Sequence, residues 1–248
     1  MVTKGGIGPM KKKLIKALAA LLVYAPIAWA ADNEIYVDQN GATANIDLEQ
    51  LGSGNIIGGL NSTAGSLTAF DLDGTSLTLD INQIGNTNKF LGDITGNSIT
   101  GFFEFTGDTN VFTIQGDPTA TYGINNSNYN VAVTGSTNTF TLDHGTSALS
   151  STLDLDWIIQ GTGNTLDFDI NYDLGTSYVD VDGDSNTLNF TGSGYQGGYF
   201  YIDQTGNSRT FNIQQLSTQD NDWLKIISSG NNGTVCVIQN DQGTSTSC

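Results

Sequence analysis

The sequence has 248 residues, 25 acidic against 8 basic, and a formal net charge of −17. Lys89, Arg209 and Lys225 are the only basic residues beyond position 30. That balance argues against nucleic acid or anionic lipid as a partner, because a phosphate surface would meet almost no compensating cation. An acidic chain rich in Gly, Asn, Thr and Asp reads first as disorder, but disorder predicts no periodicity, and Phe, Ile, Leu and Val recur here at fixed positions.

In chain order, Lys11, Lys12, Lys13 and Lys16 precede an apolar run from Ala17 to Ile27, and Ala28-Trp29-Ala30 offers a small-x-small cleavage site. This pattern predicts a secretory signal over residues 1–30, with Met10 a candidate start. The run falls short of the ~20 residues that a spanning helix needs. No permanent membrane insertion is therefore expected. Residues 31–248 are expected to form one elongated domain, secreted to the extracellular space or held at the cell surface.

From residue 35 onward one frame recurs. An apolar residue stands four before a glycine and another polar or apolar side chain two before it. A polar residue follows at plus three, and apolar residues usually follow at plus five and plus seven. The units run through Gln50, Gly52 and Asn55; Gln83, Gly85 and Asn88; Gly107 and Asn110; Gly135 and Asn138; Gly161 and Asn164; Gly183 and Asn186; and Gln204 and Gly206. Phe112, Phe140, Leu166, Leu188 and Phe211 share the plus-five position. No amphipathic helix has that period. Alternation on both sides of a glycine turn is what two short strands need if each sends one row of side chains inward. The spacing predicts an all-β chain, a single elongated β-solenoid built from about 22-residue coils of two short strands, with about eight or nine coils stacked. Glycines 41, 52, 74, 85, 96 and 107 lie on a grid of eleven interrupted at Thr63, which suggests a half-coil of strand plus turn.

The asparagines from Asn88 to Asn186 are expected to point inward and hydrogen-bond to their copies in neighbouring coils, since an interior amide must find partners. Ordinary turn asparagines are the alternative. Gly116 to Thr119 and Asp143 to Ser151 read as insertions at turns, with Pro118 in a turn or at an edge. Asn125 to Asn130 and Gly192 to Gly198 read as turns of the opposite half-coil. Near the end, Cys236 and Cys248 are expected to form a disulfide that ties down the last coil.

Gln50-x-Gly52-x-x-Asn55, Gln83-x-Gly85-x-x-Asn88 and Gln204-x-Gly206 resemble the curlin repeat, in which Gln, Gly and Asn recur with a small apolar residue and a further Gln downstream. Phe105, Val133, Ile159 and Val181 replace the Gln in other units, and Arg209 replaces an Asn. The resemblance implies a secreted bacterial subunit of β-solenoid fibres, active in biofilm matrix and surface adhesion.

Little in the sequence points to catalysis. The one histidine, His144, lies between Asp143 and Gly145 and reads as a solvated loop residue, with no nucleophile at a recognisable spacing. Asp167 with Asp169 and Asp180 with Asp182 read as a hydrated acidic surface rather than a hydrolytic pair. Asp180 to Asn186 is the densest calcium candidate, without the terminal Glu of a twelve-residue loop. No catalytic residue, metal or cofactor is expected. The expected partner is another copy, joined end to end through open backbone edges. The alternative is a discrete adhesin binding a surface receptor or carbohydrate through loops such as 116–130 or 192–198. Tyr195, Tyr199 and Tyr201 are candidates for a binding strip.

Overall fold

The structure is a computed structural model that describes residues 34–58, 70–116, 124–145, 150–194, 198–217 and 223–239. The expected signal, Pro118, Tyr195 and Cys248 lie outside these residues. The chain divides into two units, 1–31 and 32–248, and every described residue belongs to the second.

Every regular element among the described residues is a strand. The first turn holds β1 (Glu34–Ile35), β2 (Asp38–Asn40) and β3 (Thr43–Leu51), and the second holds β4 (Ile56–Ile57), β5 (Phe70–Gly74) and β6 (Ser76–Ile84). Three paired turns follow: β7 (Lys89–Gly96) with β8 (Ser98–Thr106), β9 (Val111–Gly116) with β10 (Asn126–Thr134), and β11 (Thr139–His144) with β12 (Ser150–Gln160). The long β13 (Thr165–Asp182) supplies both strands of its turn. After it come β14 (Thr187–Gly194) with β15 (Gly198–Thr205), β16 (Thr210–Ser217) with β17 (Trp223–Ser229), and finally β18 (Thr234–Gln239).

All pairing is parallel and passes from one turn to the next, which makes the fold a β-solenoid. One ladder runs from β1 and β2 to β18, and we call it the A face. The other runs from β3 to β17 and is the B face. Between the eight corner glycines, from Gly52 to Gly230, lie about seven turns, and strands before Gly52 and after Gly230 extend the stack at either end. The equivalent corner contacts are separated by 33, 22, 28, 26, 22, 23 and 24 residues, so several turns exceed the basic length.

The alternation in the sequence becomes a set of columns. Ile35, Ile57, Phe90, Phe112, Phe140, Leu166, Leu188, Phe211 and Val235 are successive register partners on the A face. On the B face, Leu48, Ile81, Phe103, Val131, Trp157, Val179, Ile202 and Ile226 form another. The two faces meet inside: Phe112 packs edge-on to Phe103 at 5.1 Å and to Trp157 at 5.8 Å. Aromatic rings in such tilted contacts add to the burial of large apolar areas. Asn126 to Asn130 opens β10 and Gly192 to Gly194 closes β14, so both are strand where the polar composition predicts turn. Each is held by hydrogen-bonded neighbours in adjacent turns, and that pairing overrides local propensity.

Candidate functional site

The corners after the B-face strands fix the stacking. Each begins at a glycine with φ between 123° and 149°, a region closed to other residues. At Gly161 a Cβ would lie 1.8 Å from the carbonyl oxygen of Gly135 in the turn before it. Two residues on, Thr87, Thr109, Thr137, Ser185, Ser208 and Asn232 are left-handed, which is an outlier for β-branched Thr. The ladder holds them there. Thr87 N–H donates to Asp108 O at 3.0 Å and Thr137 N–H to Thr162 O at 2.9 Å. Each of these Thr hydroxyls also donates to the carbonyl just before it, at 2.6 and 2.7 Å.

The glycines, glutamines and asparagines singled out in the sequence come together here. Asn55, Asn88, Asn110, Asn138, Asn164 and Asn186 are all buried. Their contact differs from a stack of like amides. The side-chain Oδ1 of each accepts the backbone N–H of the equivalent Asn one turn earlier, at 3.1, 2.9, 2.7, 2.9 and 2.7 Å along the series. Nδ2 donates to the corner glycine carbonyl, as from Asn88 to Gly85 O at 2.7 Å and from Asn110 to Gly107 O at 2.9 Å.

A second polar column runs one residue after each glycine, in the opposite sense. Asn86 Oδ1 accepts from Asp108 N–H at 2.8 Å, Asp184 Oδ1 from Asn207 N–H at 2.6 Å, and Asn207 Oδ1 from Asn231 N–H at 2.9 Å. Sequence reasoning missed this column. Its signal was the short acceptor side chain at that position in unit after unit: Asn86, Asp108, Ser136, Thr162, Asp184, Asn207 and Asn231. Asp184, at the centre of the calcium candidate, is thus engaged within the corner. Among the described residues, no group of three or more His, Cys, Asp or Glu is placed to hold a metal ion.

The glutamines divide. Gln83 Nε2 donates to Gln50 Oε1 at 2.7 Å, a true side-chain ladder. Gln204 lies on the same column but is cut off from that pair by Phe105, Val133, Ile159 and Val181. It is fully buried, and both its Oε1 and Nε2 lack a partner. Arg209, in place of an Asn, ends the amide column. Its guanidinium donates to the carbonyls of Gly206 and Ser229 and spreads over Gly233, where no side chain competes.

His144 corrects the sequence reading. Rather than a solvated loop residue, it is the last residue of β11, fully buried, with its ring edge-on to Tyr129 at 5.5 Å. Its register partners are Gly116 and Ile170, so it occupies a core column. Desolvation holds its pKa down at about 3 and pushes the Tyr129 hydroxyl up.

Outside, Tyr178 and Tyr201 stack on the B face at 5.0 Å, Tyr199 stacks on Trp223 at 3.9 Å, and Lys225 Nζ stands 4.8 Å from the Tyr201 ring centre. These stacks turn ring faces toward one another along the solenoid, and Trp223, on the last strand of that face, is 43 % exposed. Carboxylates line up in the same way. Burial and neighbouring acids raise the pKa values of Asp169, beside Asp143 and Asp167, and of Asp180, beside Asp182 and Asp203.

The two ends of the stack differ from its middle. Val235 and Val237, which continue the buried column positions of Phe211 and Ile213, are 50 % and 41 % exposed. At the other end Ile35, Val37, Ile46 and Leu48 are only partly buried. No protein-family model, curated protein or solved structure matches this chain.

Proposed function

We propose that the chain is an exported structural subunit whose solenoid stacks end to end into extracellular, curli-like fibres for surface adhesion or biofilm matrix. The carrying observation is the pair of open ends, where core columns and backbone edges stop without a covering element among the described residues. An open parallel edge with an apolar row beside it is a template for another chain. The Gln50–Gln83 pair and the asparagine column from Asn55 to Asn186 support the resemblance to curlin repeats, because both pass hydrogen bonds from turn to turn. Electron microscopy of the secreted mature protein over a range of concentrations tests the reading. Filaments are expected, and persistent single rods would overturn it.

A discrete adhesin is the second reading. Its observation is a depression of about 240 Å³ on the outer B face, where Ala132 lies between Glu104 and the exposed Ile158, with the exposed Phe102, Asp80 and Asp156 beside them. Rods that bind a surface through this face, and lose binding when Phe102 is replaced by Ser, would support it.

A further inference from the structure

Resting on the fibre reading, the geometry points to a contact of one polarity and register: the last turn of one copy docks on the first turn of the next. We propose that Lys225 and Asp47 form the charge pair that sets it.

Charge selects the polarity. Residues 34–51 carry Glu34, Asp38, Asp47 and Glu49 and no cation, whereas residues 223–239 carry Lys225 and no carboxylate. Joining two first turns would bring eight carboxylates together. Joining two last turns would set Lys225 near its own copy. Only head-to-tail contact opposes unlike charge, and only that contact keeps every strand parallel, as it is within the chain.

Register follows from the columns. The corner at Gly230 would stack on Gly52 of the next copy, as Gly206 does on Gly230 within the chain. Ser229, Ile226, Lys225 and Leu224 then face Leu51, Leu48, Asp47 and Ile46. On the A face, Val235 and Val237 cover Ile35 and Val37, and apolar meets apolar at each step. Gln239, which donates to Gln215 at 3.3 Å, comes level with Gln39, whose buried Oε1 lacks a partner in the single chain. Asp47 and Lys225 are the two ends of one outward column, through Asp80, Phe102, Asn130, Asp156, Tyr178 and Tyr201. Lys225 Nζ rests over the ring of Tyr201, its column neighbour in the preceding turn, and turns from that ring to meet Asp47 of the next copy. A shift of one residue would turn every inward side chain outward, so the register is sharply specified.

The test uses the mature secreted protein. Asp47→Lys or Lys225→Glu alone places like charges opposite one another and is expected to raise the critical concentration for filaments about fivefold. The double variant is expected to restore it. Independently, oxidation of assembled Leu51→Cys/Ser229→Cys protein is expected to give a ladder of covalent multimers, and each single variant no ladder. Filaments from the unaltered protein without rescue and without the ladder would overturn this register and leave the fibre reading standing. Absence of filaments from the unaltered protein would overturn the fibre reading itself.

Discussion

Gln204 shows how a single residue can carry information that its motif conceals. In the repeat it completes a Gln-x-Gly unit, yet its column neighbours are Val181 and Ser228, and its amide is buried without a partner. An unpaired buried amide costs about 1–3 kcal/mol. Replacing Gln204 with Leu, which continues the apolar column, is therefore expected to stabilise the protein by about 1–2 kcal/mol, read as a higher denaturant midpoint in equilibrium unfolding. Asn164 predicts the opposite sign. Its Oδ1 satisfies Asn138 N–H and its Nδ2 reaches Gly135 O, so Asn164→Ala leaves buried backbone groups unpaired and is expected to cost about 1–3 kcal/mol in the same measurement.

At the scale of the element, the four-residue corner is the unit that propagates. Its glycine combines positive φ with backbone contact closer than any Cβ allows, and its third residue accepts a left-handed strain that the inter-turn hydrogen bond offsets. Gly161→Ala would put a methyl group against the carbonyl of Gly135. We expect this change to cost more than about 4 kcal/mol and to leave little folded protein, whereas Thr162→Ala beside it costs less than about 1 kcal/mol. Comparable loss at both positions would show that the corner backbone is not the constraint. The last corner has its own anchor in Arg209, and the proposed Cys236–Cys248 bond would hold the chain beyond it. Thiol labelling of the native folded protein is expected to find neither cysteine reactive.

For the whole molecule, acid acts through two opposing sets of groups. Asp71, Asp169 and Asp180 have pKa values raised by burial and neighbouring acids, so the folded state binds protons more readily there. Their protonation relieves repulsion and strengthens the fold as pH falls through those raised values. His144 acts the other way. It titrates near 6.5 when unfolded and near 3 when folded, so stability falls by up to about 1.4 kcal/mol per pH unit between those values. His144→Phe fills the same column beside Tyr129 and is expected to remove that acid loss while leaving the three carboxylate shifts in place. Unfolding free energies at pH 7 and pH 4.5 should then differ less than in the unaltered protein, and an unchanged difference would exclude His144 as the source.

The sequence by itself determined the strand period, the glycine corners and the column that holds Phe112, Phe140, Leu166, Leu188 and Phe211. Side-chain alternation and corner backbone conformation are local properties, and repetition made them visible. Gln50 and Gln83 stand at the same place in adjacent units, and the hydrogen bond between them came only from the structure. Only the tertiary structure decided that His144 lies inside and that each asparagine amide from Asn88 to Asn186 reaches the backbone N–H of its copy one turn earlier rather than that copy's side chain. It also decided that Asn126 to Asn130 is strand. Each of these depends on what the next turn places 22 to 28 residues away, and a polar residue beside a glycine looks the same locally whether it meets water or a neighbouring rung.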